Sequence, residues 1–509
     1  MKHIIAKKSL SRLLEEMKDD NRLRRVLGPV TLTALGVGAI IGAGIFVATG
    51  AAAKAVAGPA LMVSYALAGV TCIFAALCYA EFASMAPVAG SAYTYAYTTM
   101  GEIFAWIIGW DLVLEYAVGS ATVANGWSGY FQSVLGKFGL VLPEYLQKAH
   151  YVYENGHFLA TNSWMNLPAI CVVVVVTLIL IKGIQESARF NAAMVALKLA
   201  AVLFVICVGV FYIHPANYHP FAPFGWTGLS FFGIPMFGQT NAGGDPVGMI
   251  AGSAIIFFAY IGFDSVSTHA EEAINPKRDI PIGIIASLVI CTVLYIAVVA
   301  VLTGMVPYAQ LSKDAAVADA FKQAGLPWAE FIIAAAGVAG ITSVLLVMML
   351  SGPRVFLAMA RDGLIPAKFF ADVHPKFRTP WKSTMAIGVF VSILAGLLPI
   401  DALLHLTNIG TLFAFAMVCG AVLIMRKLNP GAERPFRCPW VPLIPLLGIG
   451  TCLLLMISLP AANWWRLFGW LAIGMVIYMG YGRRHSFLGK ELRGEKITDK
   501  PVIHVDFSH

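Results

Sequence analysis

The feature that constrains this chain most is a succession of apolar stretches, each close to twenty residues long, recurring between residues 29 and 482. As a helix, a stretch of that length matches the hydrocarbon thickness of a bilayer. Twelve such spans can be read, at roughly 29–53, 59–85, 102–131, 165–182, 188–213, 247–271, 280–305, 327–358, 384–400, 402–425, 441–459 and 463–482. Only 12% of the 509 residues are charged and 59% are hydrophobic, against about a quarter charged in soluble domains. A cytosolic enzyme, a nucleic-acid reader and a secreted disulfide scaffold are thereby excluded, and the lipid bilayer is the expected solvent. The eight cysteines show no Cys-x-x-Cys spacing, and nearly all fall within apolar runs, where a thiol is a small core side chain. No metal-ligand spacing and no cofactor motif occurs.

An even number of spans places both termini on one side of the membrane. The opposite side then holds only Lys54, Lys137, Lys148, Lys313, Lys322 and Arg466, and Lys198 lies within a span, while every other Lys and Arg falls on the side of the termini. The excess of basic residues marks the cytoplasm, so both termini are expected inside and the +8 net charge needs no nucleic-acid partner. Residues 1–28 are basic without an apolar core; Leu10, Leu13, Leu14 and Met17 suit either an amphipathic helix on the inner leaflet or a solvated tail. The two longest outside segments, about 132–164 and 214–246, read as lids or vestibule walls. No Gly-x-x-x-x-Gly-Lys-Ser/Thr loop is present, which speaks against an ATP-driven pump.

Span 1 carries Gly36, Gly38, Gly42 and Gly44 at mid-membrane, and span 6 a second candidate break at 257–264. Glycine lets helices pack closely or lets one unwind, and interrupted segments in corresponding places point to an inverted repeat with a central site. In the orientation given, the outer half of span 1 begins with free N–H groups near Gly42, Ala43 and Gly44, which suit a carboxylate. The outer half of span 6 ends with free carbonyls from Phe258 to Ile261, which suit an ammonium. One site would then hold both ends of an amino acid.

The runs Gly38-Ala-Ile-Ile-Gly-Ala-Gly-Ile-Phe46, Ala80-Glu-Phe-Ala-Ser-Met-Ala-Pro-Val-Ala-Gly-Ser-Ala-Tyr-Thr-Tyr95 and Gly109-Trp-Asp-Leu-Val-Leu-Glu-Tyr116 resemble the amino acid–polyamine–organocation superfamily. Phe257-Phe-Ala-Tyr-Ile-Gly-Phe-Asp264, the segment 271–281 and Pro353-Arg-Val-Phe-Leu-Ala-Met-Ala-Arg-Asp-Gly363 resemble, more narrowly, its cationic amino acid transporter family with the bacterial relatives. The resemblance covers roughly residues 28–440. It implies an all-α polytopic fold of twelve transmembrane helices: a five-plus-five inverted repeat with helices 1 and 6 broken, and two extra C-terminal helices. The regions would be a cytoplasmic segment 1–28, a transporter core 29–425, spans 11 and 12 within 426–482, and a cytoplasmic tail 483–509. Alternating access and sodium-independent amino acid uptake are implied with it, in the plasma membrane. The backbone at Gly42, Ala43 and Gly44 would take the substrate carboxylate, and that at Ile40, Phe258, Ala259 and Ile261 the amine.

Lys198 is the one basic residue within a span, and an intramembrane lysine is a functional-site candidate by default. The resemblance places it where sodium-coupled relatives hold a cation, reaching carbonyls near Gly42 and a hydroxyl such as Ser343, so that it carries the coupling proton; snorkelling to the cytoplasmic edge is the plain alternative. Glu115, with Asp111 one turn away, would be protonated or face a polar cavity; the resemblance sets it near the site as a proton relay or as an attractor of a cationic side chain, with a structural hydrogen bond as the alternative. Asp264 divides similarly between proton handling and capping of the helix break. Glu271, Glu272 and His269 at the inner end of span 6, with Arg354 and Arg361 at that of span 8, form either an inner gate or a static ion network; Glu81 joins them with less weight.

For selectivity, the resemblance brings Ala43, Ile261 and Met348 to the substrate side chain, and Met348 fills space that a long basic side chain would need. Small neutral substrates are expected, with proton symport set against exchange, or against cationic amino acid transport without proton coupling. An intramembrane enzyme using Asp111, Asp264 or His269 lacks any supporting motif. An amino acid sensor is the third reading. A small accessory membrane subunit would leave no mark in this chain.

Overall fold

A computed structural model describes residue 7 and residues 27–85, 91–154, 157–182, 188–268, 273–313, 315–377 and 379–495. The protein is mostly helical, with three short antiparallel hairpins confined to connecting segments. Among the described residues seven helices are long and apolar enough to cross a membrane, or eight if the pair 443–456 and 461–485, bent by 113°, is one span. Span 1 and span 2 of the sequence reading run together as one helical stretch from Pro29 to Met85, and the helices Leu167–Lys182 and Trp381–Leu397 are apolar but shorter than 18 residues. The tally thus differs from the twelve stretches of the sequence because two run together, one pair is sharply bent and two helices fall short of 18 residues.

Helix α1 (Pro29–Ile40) starts with proline at its first turn and stops at Ile41, whose ψ of 107° is extended. Helical turns of α and π type resume from Gly44 to Ala57, and Gly58, at φ 60°, turns the chain into Pro59 and α2 (Leu61–Met85). The short α3 (Ser91–Thr99) precedes α4 (Glu102–Lys137), whose 36 residues make it the longest α-helix among the described residues. Next come β1 (Tyr151–Glu154), β2 (His157–Ala160), α5 (Leu167–Lys182) and α6 (Ala188–Gly209). The 210–248 segment holds β3 (Leu229–Phe231), β4 (Ile234–Phe237), β5 (Gln239–Thr240) and β6 (Pro246–Val247).

The second interruption follows. Helix α7 (Met249–Ile256) tightens into a 3-10 turn over Phe257–Tyr260, Ile261 is extended, and Gly262 takes φ 115° before the single turn α8 (Ser265–Thr268). Beyond it lie α9 (Pro276–Met305), α10 (Ala316–Gln323), α11 (Pro327–Arg361), α12 (Trp381–Leu397), α13 (Ile400–Leu428), α14 (Leu443–Met456), α15 (Ala461–Ile477) and α16 (Phe487–Leu492). The most extensive packing is of α4 on α11 and α13, and of α9 on α1 and α2. The interrupted α1 thus packs on the long α9, and the interrupted α7 on α2.

Three polar anchors fix the periphery. Buried Glu81 on α2 accepts from Arg426 (Nε 3.1 Å, Nη2 2.7 Å) and from the Cys438 N–H (2.8 Å), with Arg434 Nε at 3.3 Å, so it pins the segment joining α13 to α14. Trp110 and Trp470 stack at 4.5 Å and each donates its indole N–H to the other's carbonyl at 3.0 Å, fastening α15 to α4. Glu102, buried at the start of α4, accepts from the Tyr97, Tyr478 and Ser486 hydroxyls. The last of these seats the C-terminal segment, whose Phe487 N–H also donates to the Asp362 carbonyl at 3.1 Å. Beyond it, Arg493 donates to Glu495 at 2.6 Å and holds that carboxyl below its ordinary range.

Candidate functional site

The two interruptions touch. A Cβ built on Gly44 would lie 2.2 Å from Ala259 Cα, and one on Gly262 would lie 2.9 Å from the Ala39 carbonyl oxygen. Gly42 faces Val344 of α11, where a Cβ would approach Cγ2 to 2.6 Å. Gly44 and Gly42 are thus required by close approach, and Gly262 by its left-handed φ as well. Ile40, Ala43, Phe258, Ala259 and Ile261 are all buried around this junction.

A helix that stops leaves its last carbonyls without intrahelical partners, and long side chains from other helices reach them here. The Tyr295 hydroxyl on α9 lies 2.9 Å from the Ile40 carbonyl and 3.1 Å from that of Ala259, so a single phenol links both breaks. Asn408 on α13 donates to the Ala254 and Ile255 carbonyls at 3.0 and 2.7 Å, where α7 begins to tighten. The Phe258 carbonyl accepts from the Ile261 N–H at 3.2 Å. Tyr130 supports the far side by donating to the Phe46 carbonyl at 2.7 Å.

Lys198 on α6 is fully buried, and its ammonium donates to the Gly38 carbonyl at 2.5 Å. That carbonyl belongs to the last turn of α1, one helical turn before Gly42. Gly340 of α11 gives room for the lysine stem, since a Cβ there would lie 3.2 Å from Lys198 Cγ. Ser343, one turn along α11, spends its hydroxyl on the Gly340 carbonyl at 3.2 Å.

Three carboxyl groups are buried on the other flank. Asp111 and Glu115 are one turn apart on α4, and none of their four oxygens has a hydrogen-bond partner among the described residues. Asp264 accepts from the Tyr116 hydroxyl at 3.0 Å through one oxygen. Asp111 lies against Gly410 of α13, where a Cβ would come within 2.6 Å of its Oδ1. One turn beyond Glu115, Gly119 faces Met348 of α11: a Cβ there would lie 3.4 Å from the Met348 Sδ and 3.7 Å from Thr407 Cγ2. Gly119 therefore seats the thioether, with Thr407 of α13 beside it, a contact the sequence reading lacked.

Arg354 and Arg361 occupy the last turns of α11, while His269, Glu271 and Glu272 lie outside the described residues. Glu81 is committed to Arg426, Arg434 and the Cys438 amide, which makes it an anchor of the α13–α14 connection. At the opposite end, a cavity of about 150 Å³ is lined by Ala52, Val56, Asp245, Ile255, Lys313 and Asp401, with Lys313 and Asp401 paired at 3.5 Å.

Paired discontinuous helices inside a set of membrane-length apolar helices define an integral membrane protein built around a central broken-helix junction. The sequence profile described as amino acid permease matches residues 27–479, and the chain belongs to that family, a family of transporters. It is 45% identical to the branched-chain amino acid permease of Bacillus subtilis over 96% of this chain and 99% of that protein. It is 43% identical to the methylthioribose transporter of the same organism, over 96% of this chain and all of that one. With the vacuolar cationic amino acid transporter 4 of Arabidopsis thaliana it shares 38% identity over 81% of this chain and 64% of the relative.

Proposed function

We propose that the protein is a sodium-independent secondary transporter that takes up L-amino acids, small or branched neutral ones first, together with a proton. The observation that carries this reading is the contact of Gly44 with Ala259, which brings the two helix interruptions together; in the reading proposed, the N–H groups around Gly42, Ala43 and Gly44 face the substrate carboxylate and the carbonyls of Ile40, Phe258, Ala259 and Ile261 its ammonium. Donors for a carboxylate and acceptors for an ammonium then converge on one α-amino acid head group. Two of the three relatives are named for branched-chain and cationic amino acids, which carry that head group.

The side chain of the substrate lies toward Ala43 and Met348, with Glu115 one turn from the methionine's seat at Gly119. Met348 favours short or branched apolar groups. Lys198 carries the proton: charged, its ammonium ties α6 to the end of α1 through Gly38, and loss of the proton weakens that tie and lets α1 swing. Glu115 passes protons on the opposite flank. The fold is that of twelve spans in the cell membrane, a five-plus-five inverted repeat over 29–425 followed by two spans within 426–482, with both termini cytoplasmic.

A second reading is favoured by the methylthioribose transporter, because a thiosugar has neither carboxylate nor ammonium. Uptake into proteoliposomes separates the two. Labelled leucine, alanine, arginine and methylthioribose are offered with and without an inward proton gradient, to empty and to substrate-loaded vesicles. Gradient-dependent accumulation of leucine or alanine in empty vesicles is expected. Uptake of the thiosugar alone overturns the amino acid reading, and uptake seen only in loaded vesicles replaces symport with exchange.

A further inference from the structure

From His214 to Gly244 the chain has no Lys, Arg, Asp or Glu. Within that stretch β3 and β4 form a hairpin whose turn is Phe232 (φ 50°) and Gly233 (φ 83°). A two-stranded ribbon is marginal in water without a cover, yet this one leaves Ile234 69%, Met236 53%, Phe237 66% and Phe231 47% exposed.

Its attachment indicates the missing cover. The Ser230 N–H donates to the Ile457 carbonyl at 3.0 Å, a Cβ on Gly233 would lie 3.1 Å from Ala461 Cβ, and the Phe232 ring packs on Trp464, Trp465 and Phe468 at 5.3, 5.8 and 6.0 Å. Ile457 follows α14, and Ala461, Trp464, Trp465 and Phe468 lie in the first two turns of α15, at the end of that helix opposite the C-terminal segment. The outward face of α15, with Trp465, Phe468, Ile473 and Val476 exposed, is apolar along its length, as a lipid-facing helix surface is. Tryptophans at a span end belong to the interfacial belt. The apolar edge of the hairpin continues that face at that depth.

We propose that the β3–β4 hairpin is a lipid-binding anchor, lying in the interfacial layer of the leaflet opposite the termini with Ile234, Met236 and Phe237 among the acyl chains. With no basic residue in the segment, its attachment is hydrophobic and needs no anionic headgroup. The anchor also bears on the cavity at that end. β4 leads through β5 directly to Asn241 and Asp245, which line it, so the ribbon holds its rim at a fixed height above the membrane. None of this depends on which solute is carried.

The test places an environment-sensitive nitrobenzoxadiazole label on Ile234→Cys or Met236→Cys, with exposed Cys171 and Cys207 changed to serine. The full chain is set in phosphatidylcholine nanodiscs that hold one copy. A Gly243→Cys label, on the polar turn, is the aqueous reference. Relative to it, labels at 234 and 236 emit further to the blue, lose roughly half their intensity to shallow doxyl-labelled lipid, and are quenched by iodide about threefold less. Iodide quenching equal to that at 243 overturns the anchor. Protection that arises only when two copies share a disc also overturns it and assigns the ribbon to a dimer contact.

Discussion

The ammonium of Lys198 and the carbonyl of Gly38 form a buried hydrogen bond between α6 and the last turn of α1, one turn before the chain breaks. The bond satisfies two groups that would each be costly alone, a charge in a low-dielectric interior and a carbonyl at a helix end. Substituting Lys198 by alanine leaves the carbonyl unpaired. Proton-driven accumulation in Lys198→Ala is expected to fall by at least about tenfold, while substrate binding, read by thermal shift of the purified protein, persists. Accumulation that still follows the gradient in this variant would remove the lysine from coupling.

The junction itself is tested at Gly44. A methyl group there meets the Ala259 backbone, which cannot move aside as a side chain can. Gly44→Ala is expected to cost about 2–3 kcal/mol or more of stability, the scale of severe overpacking, with loss of transport. Gly420→Ala, where nothing lies within 4 Å of a new Cβ, is the matched control and should leave both unchanged. Equal melting temperatures for the two variants would show that the helices are not pressed together at Gly44.

How far the sequence announced this site depended on whether a residue was unusual in its own stretch. Four glycines close together in an apolar span, a lone intramembrane lysine and carboxyls at 111, 115 and 264 stand out because each is expensive or rare in lipid. Tyr295 did not, because it is one of 17 tyrosines and an ordinary apolar-face residue until the fold brings two broken helices under its hydroxyl. Gly119 was equally silent, since only packing reveals that it seats Met348. Glu81, read from the sequence as part of either an inner gate or a static ion network, pairs with Arg426 and Arg434, partners more than three hundred residues away that no local pattern announces.

Tyr295→Phe keeps the ring packing against Tyr65 and Tyr260 while removing the only proton the phenol shares between Ile40 and Ala259. The substrate-free protein should lose about 1 kcal/mol of stability. If the substrate ammonium uses the same carbonyls, it restores what the hydroxyl supplied. The rise in melting temperature on saturation with substrate is therefore expected to be larger in Tyr295→Phe than in the parent. A smaller rise would mean that the hydroxyl helps hold the substrate and does not compete with it.

In the function proposed, side-chain size selection rests on Met348, whose thioether lies over Gly119. Met348→Ser opens space toward the buried carboxyl of Glu115, and the arginine-to-leucine uptake ratio should rise roughly tenfold, within the range a single apolar contact supplies. Gly119→Val works in the opposite sense, pushing the thioether inward and lowering uptake of leucine more than of alanine. An unchanged ratio in Met348→Ser, with uptake intact, would place the side-chain pocket elsewhere.

The C-terminal segment offers a prediction that is independent of transport. Glu102 accepts from three hydroxyls, two of them on the far side of α15, and Ser486 both donates to it and caps α16 by accepting from the Gly489 N–H at 3.0 Å. Glu102→Ala strands the Tyr97, Tyr478 and Ser486 hydroxyls in a buried place, a cost of about 1–3 kcal/mol for each that finds no water. The segment from Arg483 onward should then detach from Asp362 and become open to trypsin at Arg483, Arg484, Lys490 and Arg493. Glu102→Gln, which retains an acceptor oxygen, should be cleaved at an intermediate rate. Cleavage of Glu102→Ala no faster than that of the parent would mean that the Phe487–Asp362 contact holds the segment without the carboxylate.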